Sequence, residues 1–166
     1  KGRMFMHRVV GIILLSLLGM VFVNAQGNRA GETQVTVDGE SISVSFNAPH
    51  LKGRKVEDLL EYLRGTPWRL GADSPTTLKT PFDLQFGDQV LRAGSYALKA
   101  YRDELDRWWL RALYSGEIAG TLPLAESKVD TSEDYLEIGL SARGDEVSLR
   151  VQWGNHELVG SFEVLN

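Results

Sequence analysis

No cysteine occurs among the 166 residues. That excludes a disulfide framework, a thiol nucleophile and any cysteine-ligated metal. Histidine is nearly as scarce, with three copies. His50 and His156 lie most of the chain apart and neither has a ligand-spaced partner, so no metal site is expected. Asp130, Glu133 and Asp134 lack the spacing and turn glycine of a calcium loop and read as a solvated acidic stretch. There is no Gly-rich phosphate cradle, no His-Glu-x-x-His helix and no serine in a nucleophile elbow. No cofactor is implied.

Positive charge is also in short supply once the first residues are set aside. Lys1, Arg3 and Arg8 precede an apolar run from Val9 to Val23, and Val23-Asn24-Ala25 forms a small-residue processing site before Gln26. This is the pattern of a cleavable export signal over residues 1–25, with a flexible leader over 26–32 and one domain from 33 to 166. The apolar run falls short of the ~20 residues that span a bilayer. Removing three of the 18 Lys+Arg and none of the 22 Asp+Glu leaves a formal net charge of −7. That sign disfavours nucleic acid as a partner and docking on anionic lipid. The expected product is periplasmic or extracellular, with no stable membrane association after cleavage.

What is present is β-strand patterning. Val35 and Val37 alternate with polar residues, Asp38-Gly39 marks a tight turn, and Ile42, Val44 and Phe46 alternate with serines, which predicts a hairpin. Val56, Leu59, Leu60 and Leu63 share one face of a short helix, closed by Gly65 and Pro67. Strands are expected at residues 68–70, 76–80, 82–86, 89–91, 94–101, 107–114 and around 121–125, with an acidic loop over 126–133. Leu136, Ile138 and Leu140, then Val147, Leu149, Val151 and Trp153 beyond a Gly144-Asp145 turn, and finally Leu158, Phe162 and Val164, complete the pattern. The fold class is therefore all-β: an antiparallel β-sandwich of about ten short strands with one short helix.

One polar cluster interrupts these strands. It runs Gly53-Arg54-Lys55, Trp68-Arg69-Leu70-Gly71-Ala72-Asp73 and Thr76-Thr77. With Phe46-Asn47-Ala48-Pro49, Leu91-Arg92-Ala93-Gly94-Ser95-Tyr96-Ala97-Leu98 and tryptophans at Trp108 or Trp109 and Trp153, these ordered segments resemble the bacterial family catalogued as domain of unknown function 2911. The resemblance covers roughly residues 33–164. It implies an exported, β-rich protein and no established chemistry. Ala48 stands where the family pattern has arginine, Asp73 where it has asparagine, and Pro75 where it has alanine; losing a cation and gaining an anion would alter any ligand the cluster binds.

Two arrangements account for such a cluster. Arg54, Arg69 and Asp73, with Thr76 or Thr77, form a buried guanidinium–carboxylate clamp that pins the helix-bearing loop to the sheet. Alternatively, Arg54, Trp68, Arg69, Asp73 and Thr77 line a pocket in which Trp68 gives a stacking face and a guanidinium takes a carboxylate or sugar hydroxyl. Trp108 and Trp109 fall on opposite faces of a strand, so one is core and the other packs under a loop or, beside Tyr101 or Tyr114, offers a carbohydrate platform. Trp153 continues an apolar face and is expected in the core. The leading expectation is a non-catalytic binding or accessory module for a small polar or carbohydrate-like ligand. The alternatives are a hydrolase or isomerase that uses His50 or Asp73 beside Arg69, and an envelope protein that pairs through a sheet edge.

Overall fold

The computed structural model describes residues 27–165; the expected export signal lies outside the described residues. Strand β1 (Arg29–Val37) and strand β2 (Glu40–Ala48) form the expected hairpin. Asp38 and Gly39 connect them with φ of 47° and 83°, the two positive values that a two-residue type I′ turn requires. β1 starts earlier than the alternation suggests: residues 29–32, expected as part of a flexible leader, pair with Ala48 back to Ser45.

Helix α1 (Val56–Tyr62) buries Val56 and Leu60, as the apolar spacing predicts, with Leu63 as its C-cap. The strand expected at residues 68–70 is reduced to one bridge. Trp68 and Ala100 exchange N–H to carbonyl bonds of 2.7 Å, after which Leu70 turns away at φ 55°.

The remaining strands are β3 (Thr76–Thr80), β4 (Asp83–Phe86), β5 (Gln89–Leu91), β6 (Gly94–Arg102), β7 (Trp108–Tyr114), β8 (Glu117–Arg143) and β9 (Glu146–Leu165). They make one nine-stranded sheet in the order β1-β2-β3-β6-β7-β8-β9-β4-β5, antiparallel throughout. The all-β class stands. The two layers belong to one sheet because β8 runs from one into the other: up to Leu124 it pairs with β7, and from Ala125 onward with β9. The acidic stretch 126–133, expected as a loop, is the irregular middle of that strand, with register shifts between Lys128 and Glu133 and between Glu133 and Glu137. β9 supplies the partner that the local sequence does not announce.

Side chains bind the two layers face to face. Trp68 stacks on Trp153 at 5.8 Å between ring centroids, and Phe86 lies 5.8 Å from Phe162. The Leu140 amide donates to Thr33 Oγ1 at 3.2 Å, so the second half of β8 lies against β1. At the other end Gly87 bridges Thr121, and a Cβ there would sit 2.2 Å from the Thr121 carbonyl oxygen. Only glycine fits. The sheet margins are β5, of three residues, and β1, of nine residues, against which the second half of β8 lies.

Candidate functional site

The loop before α1 is built from the chain's own carbonyls. Lys52 and Gly53 both take positive φ, 53° and 75°, which reverses the chain and explains the glycine of Gly53-Arg54-Lys55. The Lys52 amide donates to His50 Nδ1 at 2.8 Å. Leu51 N donates to Asp134 O and Leu136 N to Pro49 O, which stitches the loop to β8. The turn also sets the Arg54 side chain: Nε donates to Leu51 O at 2.9 Å and Nη2 to His50 O at 3.2 Å. Nη1 has no partner among the described residues.

Arg54 lines an open groove of about 570 Å³, together with Leu51, Lys55, Glu57, Asp58, Ser132 and Asn155, so cations and carboxylates share its lining. Val56 and Gly154 form its floor. Gly154 adopts φ 57°, and a Cβ on it would lie 2.7 Å from Val56 Cγ1, so glycine is what allows α1 to settle against β9. Beneath the far wall Gln152, 1% exposed, donates through Nε2 to Thr131 O, Thr131 Oγ1 and Gly154 O, and its Oε1 accepts from Arg150. These bonds hold the irregular middle of β8 in place.

An ionic cluster flanks the groove. His156 Nδ1 is 3.2 Å from Glu126 Oε1 and its Nε2 3.5 Å from Glu57 Oε1, while Lys128 Nζ reaches Glu57 at 3.4 Å. The Glu57 carboxyl is held below its ordinary value, first by its own backbone N–H; desolvation opposes this, and Lys128 and His156 add to the lowering. His156 Nδ1 is paired with Glu126, and Nε2 is buried with no hydrogen-bond partner among the described residues, so neither is presented to the groove.

The expected partners of Arg54 are elsewhere. Arg54, Arg69 and Asp73 are all exposed, and no ion pair joins them; the guanidinium–carboxylate clamp is not formed. Arg69 Nη1 donates to the backbone carbonyl of Asp73 at 3.1 Å, and the Asp73 carboxylate accepts from Asn28 Nδ2 at 2.7 Å. The turn from Gly71 to Thr76 is tied to the end of β2: Ala72 N donates to Asn47 O at 2.9 Å, and a Cβ on Gly71 would come within 2.8 Å of that oxygen. Thr76 is buried and its hydroxyl donates to Leu70 O at 2.9 Å.

Trp68 is 8% exposed and packed between Trp153 and Trp108, so it offers no stacking face to a ligand. Thr77 is half-buried on β3, opposite Ser45 and Ala97. His50 sets its ring against Tyr135 at 4.5 Å, with the Arg29 guanidinium 3.6 Å above that tyrosine. Of the candidate ligand residues Arg54, Trp68, Arg69, Asp73 and Thr77, Arg54 alone lines the groove. The signal that marks the rest of it is Gly154-Asn155, which breaks an otherwise regular apolar strand.

The end of β2, Gly53-Arg54-Lys55 and residues 68–77 are among the segments that carry the family resemblance; residues 71–72 meet the end of β2 at Asn47, whereas Arg54 lies apart at the groove. The family model described as "Protein of unknown function (DUF2911)" matches residues 28–161. The chain belongs to this family. No curated protein and no solved structure matches it. In this DUF2911 protein the signature residues divide between the core and the surface. Most of the signature segment builds the fold: Trp68 and Thr76 are buried, and Gly71 lets two turns touch. Arg54 and Arg69 are both exposed and both held by backbone carbonyls, and of the two only Arg54 lines the groove.

Proposed function

We propose that this protein is an exported, non-catalytic binding module that seats a small polar ligand, one bearing a carboxylate or comparable anionic oxygen pair, in the groove beside Arg54. The observation that carries this reading is the Arg54 guanidinium itself: two of its donors are spent on Leu51 O and His50 O, and Nη1 is left over at a groove. A guanidinium held in place loses little further freedom when it binds, so each hydrogen bond to a ligand counts for more. Lys55, Ser132 and Asn155 supply further donors in the lining, and Glu57 and Asp58 restrict an anion to its Arg54–Lys55 side.

The hydrolase or isomerase alternative has less support. Neither histidine lines the groove, His50 Nδ1 already accepts the Lys52 amide, and Asp73 is engaged by Asn28. Pairing through a sheet edge is likewise weakened by the short β5 and the flanked β1. Export rests on the residue pattern before Gln26; among the described residues no helix is long and apolar enough to cross a membrane.

A thermal-shift screen of small carboxylates, sugar acids and neutral sugars tests the proposal. A ligand at ~100 times its Kd adds about 2.7 kcal/mol to stability, which raises Tm by several degrees in a domain of this size. The expected hits carry an anionic oxygen pair and vanish in Arg54→Ala. A screen without hits, or hits that persist in a folded Arg54→Ala, overturns the site.

A further inference from the structure

The outward face of β6, β7 and the start of β8 carries a second ordered array, remote in sequence from the groove. Tyr101, Trp109 and Pro123 are register partners across the three strands, and one pair along, Lys99, Arg111 and Thr121 are register partners too. Neighbouring strands lie ~4.8 Å apart and residues two apart on one strand ~6.8 Å, so these six form two parallel rows. One row is of rings; the other is cationic and polar. The intervening Ala100, Trp108, Leu110, Leu122 and Leu124 are buried, which places both rows on the outer surface.

The array is held in position. Trp109 Nε1 donates to Asp103 Oδ2 at 3.1 Å, and the Arg111 guanidinium lies 4.0 Å over the Tyr101 ring. The cationic row is also uncompensated. Lys99 and Arg111 sit directly opposite each other, a like-charge pairing that destabilises a sheet. Among the described residues no ion pair engages Lys99, Arg111 or Lys79, which continues the same face on β3. In a chain of formal net charge −4, adjacent cations outside any ion pair are the complement of an anion.

We propose that this face binds an anionic polysaccharide, with sugar C–H faces against the Trp109 and Pro123 row and acid groups on Lys99 and Arg111. An acidic sugar has that same division, an apolar ring face with a charged group at its margin. A nucleic acid would bring a continuous phosphate charge toward a chain of its own sign.

Affinity electrophoresis of the full chain in gels cast with polygalacturonate, dextran sulfate, unmodified dextran or polyglutamate tests this, with a DNA oligonucleotide as competitor. Retardation is expected in polygalacturonate or dextran sulfate, the two gels separating carboxylate from sulfate preference, and not in unmodified dextran. The double variant Lys99→Gln/Arg111→Gln is expected to weaken it at least tenfold, as is Thr121→Glu, which adds a carboxylate to the row and keeps both cations. Arg54→Ala is expected to leave it unchanged, so that failure here and failure at the groove are distinguishable. No retardation, retardation by polyglutamate as strong as by the glycans, displacement by the oligonucleotide at equal charge, or full binding by folded variants overturns the proposal.

Discussion

Trp68 lies over Trp153 with ring planes 17° apart and centroids separated by 5.8 Å, so the indole that heads the family's Trp-Arg-x-Gly-Ala segment joins the two layers of the sheet. Replacing it by alanine is expected to cost ~3–5 kcal/mol, the range for a large buried aromatic. Urea unfolding measures this, and Trp68→Phe should recover part of the loss. A Trp68→Ala protein as stable as the parent but deficient in binding would instead place the residue at a ligand.

Three glycines separate steric from conformational effects. Gly53→Ala meets nothing within 4 Å, so it carries only the left-handed backbone term of ~1–2 kcal/mol. Gly71→Ala has ordinary φ but drives a Cβ to 2.8 Å from Asn47 O, an overpacking cost of ~1–3 kcal/mol. Gly154→Ala combines φ 57° with Val56 at 2.7 Å and should be the most destabilising of the three. Denaturant midpoints give the order, and Gly53→Ala ranking worst would contradict it.

Acid should loosen the β6–β7 turn before the core yields. Desolvation works to raise the Asp103 pKa, yet bonds from the Arg107 amide and side chain, Trp109 and the Leu105 amide outweigh it and bring the value down to about 2. The folded pKa lies below the ordinary 3.8. The contribution is therefore complete above the unfolded value and is lost as pH falls from about 4 toward about 2. Trp109 emission followed through that window should change in the parent and stay flat in Asp103→Asn; the same transition in both would remove Asp103 as its cause.

Much of the fold is legible locally. The type I′ turn at Asp38-Gly39, the three residues of β5 and the apolar face of α1 follow from turn chemistry and periodicity, because each is decided by neighbours in sequence. The continuity of β8 is not. Residues 126–133 are polar on both sides because both sides meet solvent, and what keeps them extended is β9, which no local pattern reports. The same distinction explains the polar cluster. Arg54, Arg69 and Asp73 suggest mutual pairing by charge, but Arg54 and Arg69 each find backbone carbonyls within four residues, and a partner that close forms without bringing distant side chains together. Trp68 and Trp153 needed tertiary structure to be seen as a pair.

Gln152 ties the groove wall to its floor. Gln152→Leu removes the donor to Thr131 and Gly154 and leaves buried acceptors unmet, an expected loss of ~1–3 kcal/mol, with faster amide exchange at residues 131–133. Unchanged exchange there would show that the β9 ladder alone fixes this part of β8.

The central claim is that one arginine of the signature segments binds while the other residues build. Calorimetric titration of the best carboxylate from the screen into the parent, Arg54→Ala and Arg69→Ala proteins tests it most directly. The account predicts that heat disappears with Arg54→Ala at unchanged Tm and survives Arg69→Ala. Binding lost equally in both variants, or retained in both, would contradict it.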